Sequence, residues 1–233
     1  MPLAVIRPEP GCAASVAAAR ALGLEAHGVP LFEVVARDWD APDPIEFDGL
    51  LVGSANAFRH GGAGLATLAT LRSLPVHAVG KATADAAREA GFDVATVGDG
   101  GLQAVLDGLR GPARLLRLAG EERTALVPPA AIAITERVVY ASEARAMPLA
   151  LAALLAEGAV VLLHSGEAAR HFAAECDRLG LRRGRICLAA LAPRIAEAAG
   201  PGWAALAIAE RAQDAALLAL ASDMCQNPPT DRA

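Results

Sequence analysis

At 233 residues, 54% of them hydrophobic, the chain is long enough for one large domain or two ordinary ones with ample core. The net charge of −5, with no basic stretch to offset it, argues against a nucleic-acid surface. Any acidic ligand must therefore be held by local donors, because the bulk charge would not attract it.

No basic-then-apolar leader opens the chain; Met1-Pro2-Leu3-Ala4-Val5-Ile6 leads straight into Arg7-Pro8. Residues 3–6 predict a first buried strand, followed by a helix over 12–22 that Gly23 ends. An extended, β-branched segment over 29–36 follows, and then an acidic, proline-rich stretch over 38–47. A strand over 50–53 and a short helix over 55–59 come next. Gly61-Gly62-Ala63-Gly64 follows that helix rather than a strand, so it is not a dinucleotide loop. Strands are predicted at 76–79, 94–97 and 114–118, interleaved with helices over 82–90 and 102–109. A second extended segment covers 135–142. The apolar run over 147–163 is split by Glu157-Gly158, which predicts a helix over 147–156, a glycine stop and a strand over 159–163 rather than a membrane span. A helix over 167–179, strands at 186–191 and 205–208, and a helix over 211–224 complete the pattern. The tail, 226–233, has two prolines and no periodicity, and is expected to be loose. Short apolar runs alternating with alanine-rich helices are the signature of parallel sheets covered by helices.

The chain nearly repeats itself once. Ser54-Ala55-Asn56-Ala57-Phe58-Arg59-His60 recurs as Ser165-Gly166-Glu167-Ala168-Ala169-Arg170-His171, 111 residues later. The segment from Val76 to Ala87 returns from Leu188 to Ala199, and Arg7 after the first apolar run finds a counterpart in Arg117. Three anchors in one order at one offset predict two like α/β lobes facing a common cleft. The extended segments at 29–36 and 135–142 stand near equivalent places in the two copies. They are expected to pass between the lobes as an antiparallel ribbon.

Open parallel sheets bind ligands beyond the carboxyl ends of their strands, where the next helix presents free N–H groups. Four segments have that form: Ser54-Ala55-Asn56, Gly80-Lys81-Ala82-Thr83, Ala119-Gly120-Glu121 and His164-Ser165-Gly166. Each alone is as well explained by helix capping; all four in register on two lobes point to a polyanion-binding cleft. Lys81 is the only lysine, and its place at a helix start is unfavourable for the dipole unless an anion binds there. Tyr140 is the only tyrosine, and its phenol could serve packing or supply a proton to a leaving group. Cys12, Cys176, Cys187 and Cys225 form no CxxC pair, which predicts reduced thiols in a soluble, cytoplasmic protein. His164, His171 and Cys176 lack metal-ligand spacing, so neither a metal nor a cofactor is expected.

These residues resemble the uroporphyrinogen-III synthase family over nearly the whole chain. The resemblance rests on Arg7-Pro8 after the first strand, Ser54 to Ala57, Val79-Gly80 followed by Thr83-Ala84, and Val139-Tyr140. It implies an α/β fold of two similar flavodoxin-like lobes, each a parallel sheet flanked by helices, joined by a two-stranded antiparallel linker. Lobe one would be 1–32 with 143–233, lobe two 38–134, and the linker strands 33–37 and 135–142. It further implies that a monomer cyclises hydroxymethylbilane, a linear octacarboxylate, with loss of water and inversion of the last pyrrole ring through a spiro intermediate. Because that substrate closes unaided to the uninverted isomer, steering its conformation is the main task.

Carried over by residue, Tyr140 would assist hydroxyl departure. Ser54, Ala55, Asn56, Gly80, Lys81, Thr83 and Gly120 would bind carboxylates from lobe two. Ser165, Gly166 and Arg7 would do so from lobe one, Arg7 alternatively forming a structural ion pair. A transient contact with hydroxymethylbilane synthase is attractive because the intermediate is unstable. Gly53 and His164 stand where the family commonly has threonine before its serine, and Ala192 and Ile195 replace an expected Gly and Thr, so lobe one offers fewer donors. The alternative in another class is a bilobal small-molecule binding or sensing protein without chemistry.

Overall fold

The computed structural model describes residues 1–68 and 74–227. The chain divides into two compact units, Met1–Glu33 with Glu143–Ala233, and Val34–Ser142.

The first unit is built on strands β1 (Leu3–Val5), β2 (Ala26–Gly28), β9 (Val160–Leu163), β10 (Cys187–Ala190) and β11 (Ala205–Ile208). They form a parallel sheet in the order β11-β10-β9-β1-β2. Alternation of side chains explains why its central strands are continuously apolar. Ala4, Ile6, Val161, Leu163, Leu188 and Ala190 face α6 (Leu149–Ala156), α7 (Gly166–Arg178) and α8 (Pro193–Ala199). Their neighbours Leu3, Val5, Val160, Leu162, Cys187 and Ala189 face α1 (Gly11–Ala21) and α9 (Asp214–Gln226). Both faces are thus sealed by helices.

The second unit contains β3 (Phe32–Ala36), β4 (Gly49–Val52), β5 (Val76–Val79), β6 (Val94–Gly98), β7 (Ala113–Gly120) and β8 (Ile132–Ala144), in the order β3-β8-β7-β4-β5-β6. β8, β7, β4, β5 and β6 run parallel. At the edge, the Arg37 N–H donates to the Val139 carbonyl at 3.0 Å. Its short helices are α2 (Asn56–Arg59), α3 (Gly62–Thr67), α4 (Lys81–Glu89) and α5 (Leu102–Gly108). α2 and α4 cover Leu50, Val52, Val76, Ala78, Leu116 and Leu118. The opposite face carries a much smaller core, in which Val105 and Leu106 of α5 meet Leu51, Leu115 and Ile132.

The strand order β8-β7-β4-β5-β6 repeats β2-β1-β9-β10-β11, so each unit joins pieces of both sequence copies. One difference matters. The crossover from β1 to β2 contains α1, whereas residues 121–131 cross from β7 to β8 without a helix. Part of the β7–β8 face therefore lacks a helical cover.

Most expected strands appear within a residue or two; β7 and β8 are longer than expected, and the extended segment expected over 29–36 begins as β3 only at Phe32. β2, α3 and α8 were not among the elements expected from the sequence, although the return of 76–87 at 188–199 hints at α8. At three residues, β2 is too short to show alternation, and the glycines that help form α3 are usually breakers. α9 starts at Asp214 rather than 211 and continues to Gln226; the expected loose tail lies, for 228–233, outside the described residues. No helix among the described residues is long and apolar enough to cross a membrane.

Candidate active site

In the second unit, β4 and β7 lie side by side and deliver their carboxyl ends to one opening. After β4 come Gly53 and Ser54; the Ser54 Oγ accepts the Asn56 N–H at 3.2 Å and so turns the chain into α2. A side chain at Gly53 would meet Leu102 at 3.5 Å, and its absence leaves space there. From β7 come Arg117, Leu118, Ala119 and Gly120. A register shift at Ala119/Gly120 sets Gly120 opposite Tyr140 of β8. Contact with the ring is close enough that a Cβ on Gly120 would lie 2.7 Å from Tyr140 Cε2 and Cζ. The Glu121 N–H donates to the Tyr140 carbonyl at 2.9 Å, which secures the pairing beyond the shift.

These residues line a cavity of about 430 Å³, completed by Gly100 to Gln103 and by the segment Glu122 to Leu126. The helix-free crossover forms the wall. Gln103 pins it from α5, donating to the Val127 carbonyl at 2.9 Å and accepting the Val127 N–H at 2.9 Å. A second cavity of about 470 Å³ shares Arg117, Arg123 and Leu126 with the first.

Glu122 adds a carboxylate to this wall, and three further charged side chains pair with one another in and beside it. Arg117 is only 6% exposed. Its Nη1 donates to Glu136 Oε2 at 2.7 Å and its Nη2 to the Thr124 carbonyl at 2.9 Å. Arg123 pairs through Nε with the other Glu136 oxygen and donates from Nη1 to the Glu121 carbonyl at 2.7 Å. Two guanidinium groups thus share one carboxylate. The lining offers anion-binding donors, the Ser54 and Thr124 hydroxyls and one phenol, an inventory suited to holding an acidic ligand and moving a single proton.

Of the residues expected from the sequence, the structure brings Ser54, Gly120 and Tyr140 to this cavity. The other second-unit positions do not line it. Ala55 is buried at the start of α2, with Asn56 beginning that helix. Gly80 caps α4 with φ 74°, a conformation that favours glycine, and its N–H donates to Gly98. Lys81 points to solvent and pairs with Asp85 one turn on at 2.5 Å, an i,i+4 partner for its charge. Thr83 is buried in α4. Arg117, Arg123, Glu136 and Gln103 were not expected in the site. The only advance sign was the match of Arg117 to Arg7.

In the first unit, Ser165 caps α7 by accepting the Ala168 N–H at 3.1 Å, with Gly166 as the first helical residue. Arg7 has taken the ion-pair role, its Nη1 standing 3.2 Å from Asp214 Oδ1. His164 Nε2 lies 2.7 Å from the same oxygen, and the Ser15 hydroxyl donates to Asp214 Oδ2 at 2.9 Å. Burial, reinforced by the Arg7 charge, pushes the His164 pKa below its ordinary value against the pull of Asp214. His164 thus occupies, in this unit, the place that Gly53 leaves open in the other.

Comparison with known proteins agrees with this architecture. The family model described as uroporphyrinogen-III synthase HemD matches residues 13–219. Among solved structures, uroporphyrinogen-III synthetase from Helicobacter pylori is similar, with 18% identity, a TM-score of 0.66, and coverage of 96% of this chain and 100% of that one. A mutant uroporphyrinogen III synthase from the extremely thermophilic bacterium Thermus thermophilus shows 16% identity and a TM-score of 0.53, covering 97% of this chain and 100% of its own. At such identities the two structures speak for the fold. A search of curated proteins by sequence finds no match. With the family model spanning most of its length, the chain belongs to the uroporphyrinogen-III synthase family.

Proposed function

We propose that the cavity beside Tyr140 holds the hydroxymethyl-bearing end of hydroxymethylbilane, the substrate on which this enzyme family acts. The function is that of a uroporphyrinogen-III synthase, a lyase of tetrapyrrole biosynthesis. In the proposed route, the Tyr140 phenol gives its proton to the departing hydroxyl, which leaves as water. The resulting azafulvene cation is attacked by the last pyrrole to form a spiro intermediate, which fragments and recloses with that ring inverted. Nothing in this sequence requires a cofactor. The observation that supports the reading is that Tyr140 lines a cavity together with Arg117 and Arg123, which pair with one glutamate.

We also read the units Met1–Glu33 with Glu143–Ala233 and Val34–Ser142 as supporting two flavodoxin-like lobes, 1–32 with 143–233 and 38–134, linked by antiparallel strands at 33–37 and 135–142. The Arg37–Val139 and Arg145–Leu31 backbone bonds favour that direction for the linkers. Ser54, Ala55, Asn56, Gly80, Lys81, Thr83 and Gly120 of one lobe, and Arg7, Ser165 and Gly166 of the other, are proposed contributors to carboxylate binding, with Ser54 and Gly120 best supported by their place in the cavity. The proposal extends to a cytoplasmic monomer that meets hydroxymethylbilane synthase transiently.

Incubation with hydroxymethylbilane made in situ by that synthase tests the function. After oxidation and chromatography, the type III isomer should dominate; type I alone defeats the reading. Tyr140→Phe should slow type III formation and raise the share of type I, and an unchanged rate and ratio would reduce Tyr140 to a packing role.

A further inference from the structure

We propose that Arg117 is a carboxylate anchor, taking an acetate or propionate arm of the pyrrole that carries the hydroxymethyl group. The inference rests on the reading above for the identity of the ligand. It stands on three observations. First, the Arg117 Nε–H has no hydrogen-bond partner among the described residues, although the side chain is more than nine-tenths buried. Buried N–H groups are rarely left without an acceptor. Second, Arg117 and Arg123 share the single Glu136 carboxylate, so the buried Arg117 guanidinium has no carboxylate to itself. A carboxylate would supply the missing acceptor and a counter-charge that Arg117 need not share. Third, Arg117 and Tyr140 line the same cavity, whose 430 Å³ suits one substituted pyrrole rather than a tetrapyrrole.

The donor geometry says how the anchor would work. The side-on edge of a guanidinium, Nε with one Nη, matches a carboxylate bidentately. In Arg117 that edge holds only the Thr124 carbonyl on Nη2, while Nη1 is committed to Glu136. An incoming carboxylate takes both donors of the edge and releases Thr124 in the helix-free crossover. Glu136 remains on the far side and keeps the guanidinium oriented.

The internal repeat supplies a control. Arg7, the counterpart of Arg117, spends its charge on Asp214, which also receives His164 and Ser15. The anchor is therefore a property of one unit, despite the duplication.

Two measurements test the proposal. In the wild-type protein, titration with porphobilinogen, a pyrrole bearing both acid arms, should shift the Arg117 Nε–H resonance saturably, and its dimethyl ester should not. In turnover, Arg117→Met should raise KM for hydroxymethylbilane at least tenfold, with Arg117→Lys in between and kcat changing less than KM. An unshifted resonance, equal shifts with acid and ester, or an unchanged KM in folded Arg117→Met would overturn the anchor. The titration needs no turnover and serves equally if the variants do not fold. Production of only the type I isomer by the wild type would instead defeat the enzymatic reading and leave the anchor to the resonance experiment.

Discussion

Replacing Gly120 with alanine places a methyl carbon 2.7 Å from Cε2 and Cζ of Tyr140 and 3.0 Å from its hydroxyl. Ordinary carbon contacts begin near 3.4 Å, so the ring must retreat by about 0.7 Å. The backbone is no obstacle, because Gly120 does not have the positive φ found at Gly80 or Gly101. The strain is thus purely one of packing, which costs about 1–3 kcal/mol when a group is forced into filled space. Tyr140 is only half-buried and can yield toward the cavity, which favours the lower end. Catalysis should suffer more than stability, since a displacement near 1 Å from a productive geometry costs on the order of 100-fold. We expect type III formation to fall by about 10- to 100-fold while unassisted closure to type I continues, so the isomer ratio shifts toward type I. Stopped assays with hydroxymethylbilane, paired with thermal melts, separate the two effects. Adding Gly120→Ala to Tyr140→Ala should cost little further activity, because the ring it displaces is already gone. A folded Gly120→Ala protein with wild-type rate and isomer ratio would refute the claim that ring position matters.

Three further outcomes follow from charge and burial. Glu175 accepts the Met147 N–H at 2.6 Å and two Arg178 donors at 2.7 Å; its bonds with Arg178, above all, hold its pKa at about 2. Because that value lies below the unfolded one, its contribution is complete above about pH 4.5 and fades as pH falls toward 2. Glu175→Gln should lower stability at pH 7 by about 1–2 kcal/mol, the modest figure reflecting a half-exposed Arg178, and should flatten acid unfolding measured by circular dichroism. His164 has the same linkage sign in a higher pH window: burial lowers its pKa, so the unfolded chain binds the proton more readily and stability falls as pH drops below about 6.5. Denaturant melts of His164→Gln should show a shallower loss there, though not a flat profile, because burial also lowers His60 and His77. Finally, Cys12, Cys176, Cys187 and Cys225 are buried free thiols, with Cys12 pushed up to about 11 and Cys176 to about 12, chiefly by burial. A thiol reagent at pH 8 should leave the folded protein almost unlabelled and modify all four after denaturation; rapid labelling of Cys176 in the native state would contradict its burial.

Much of the fold is legible because burial on both faces writes itself into the strands as unbroken apolar runs. Leu3 and Val5 turn to α1 and α9 while Ala4 and Ile6 turn to the other helices, and 160–163 behaves in the same way. The repeat was equally visible: Ser54 and Ser165 stand at the same turn of the same strand order, and the Arg7–Arg117 match ties β1 to β7. Tyr140 could be singled out as the only tyrosine on an extended segment. Lys81 has a competing partner that the sequence also contains. Its place at a helix start invites an anion, while Asp85 lies one turn away and pairs with it at i,i+4.

The sequence alone determined what local rules can express: strand periodicity, helix stops, the duplication, and the position of one phenol. Tertiary structure decided which of two equivalent arginines faces a cavity. Arg7 and Arg117 are the same residue type at matching places, yet neither carries the identity of its neighbours across the sheet. Asp214 and His164 close over one; Gly53 and a crossover without a helix leave room beside the other. Those neighbours lie up to 207 residues away in the chain, so only folding brings the charges together and fixes which guanidinium keeps an unbonded N–H.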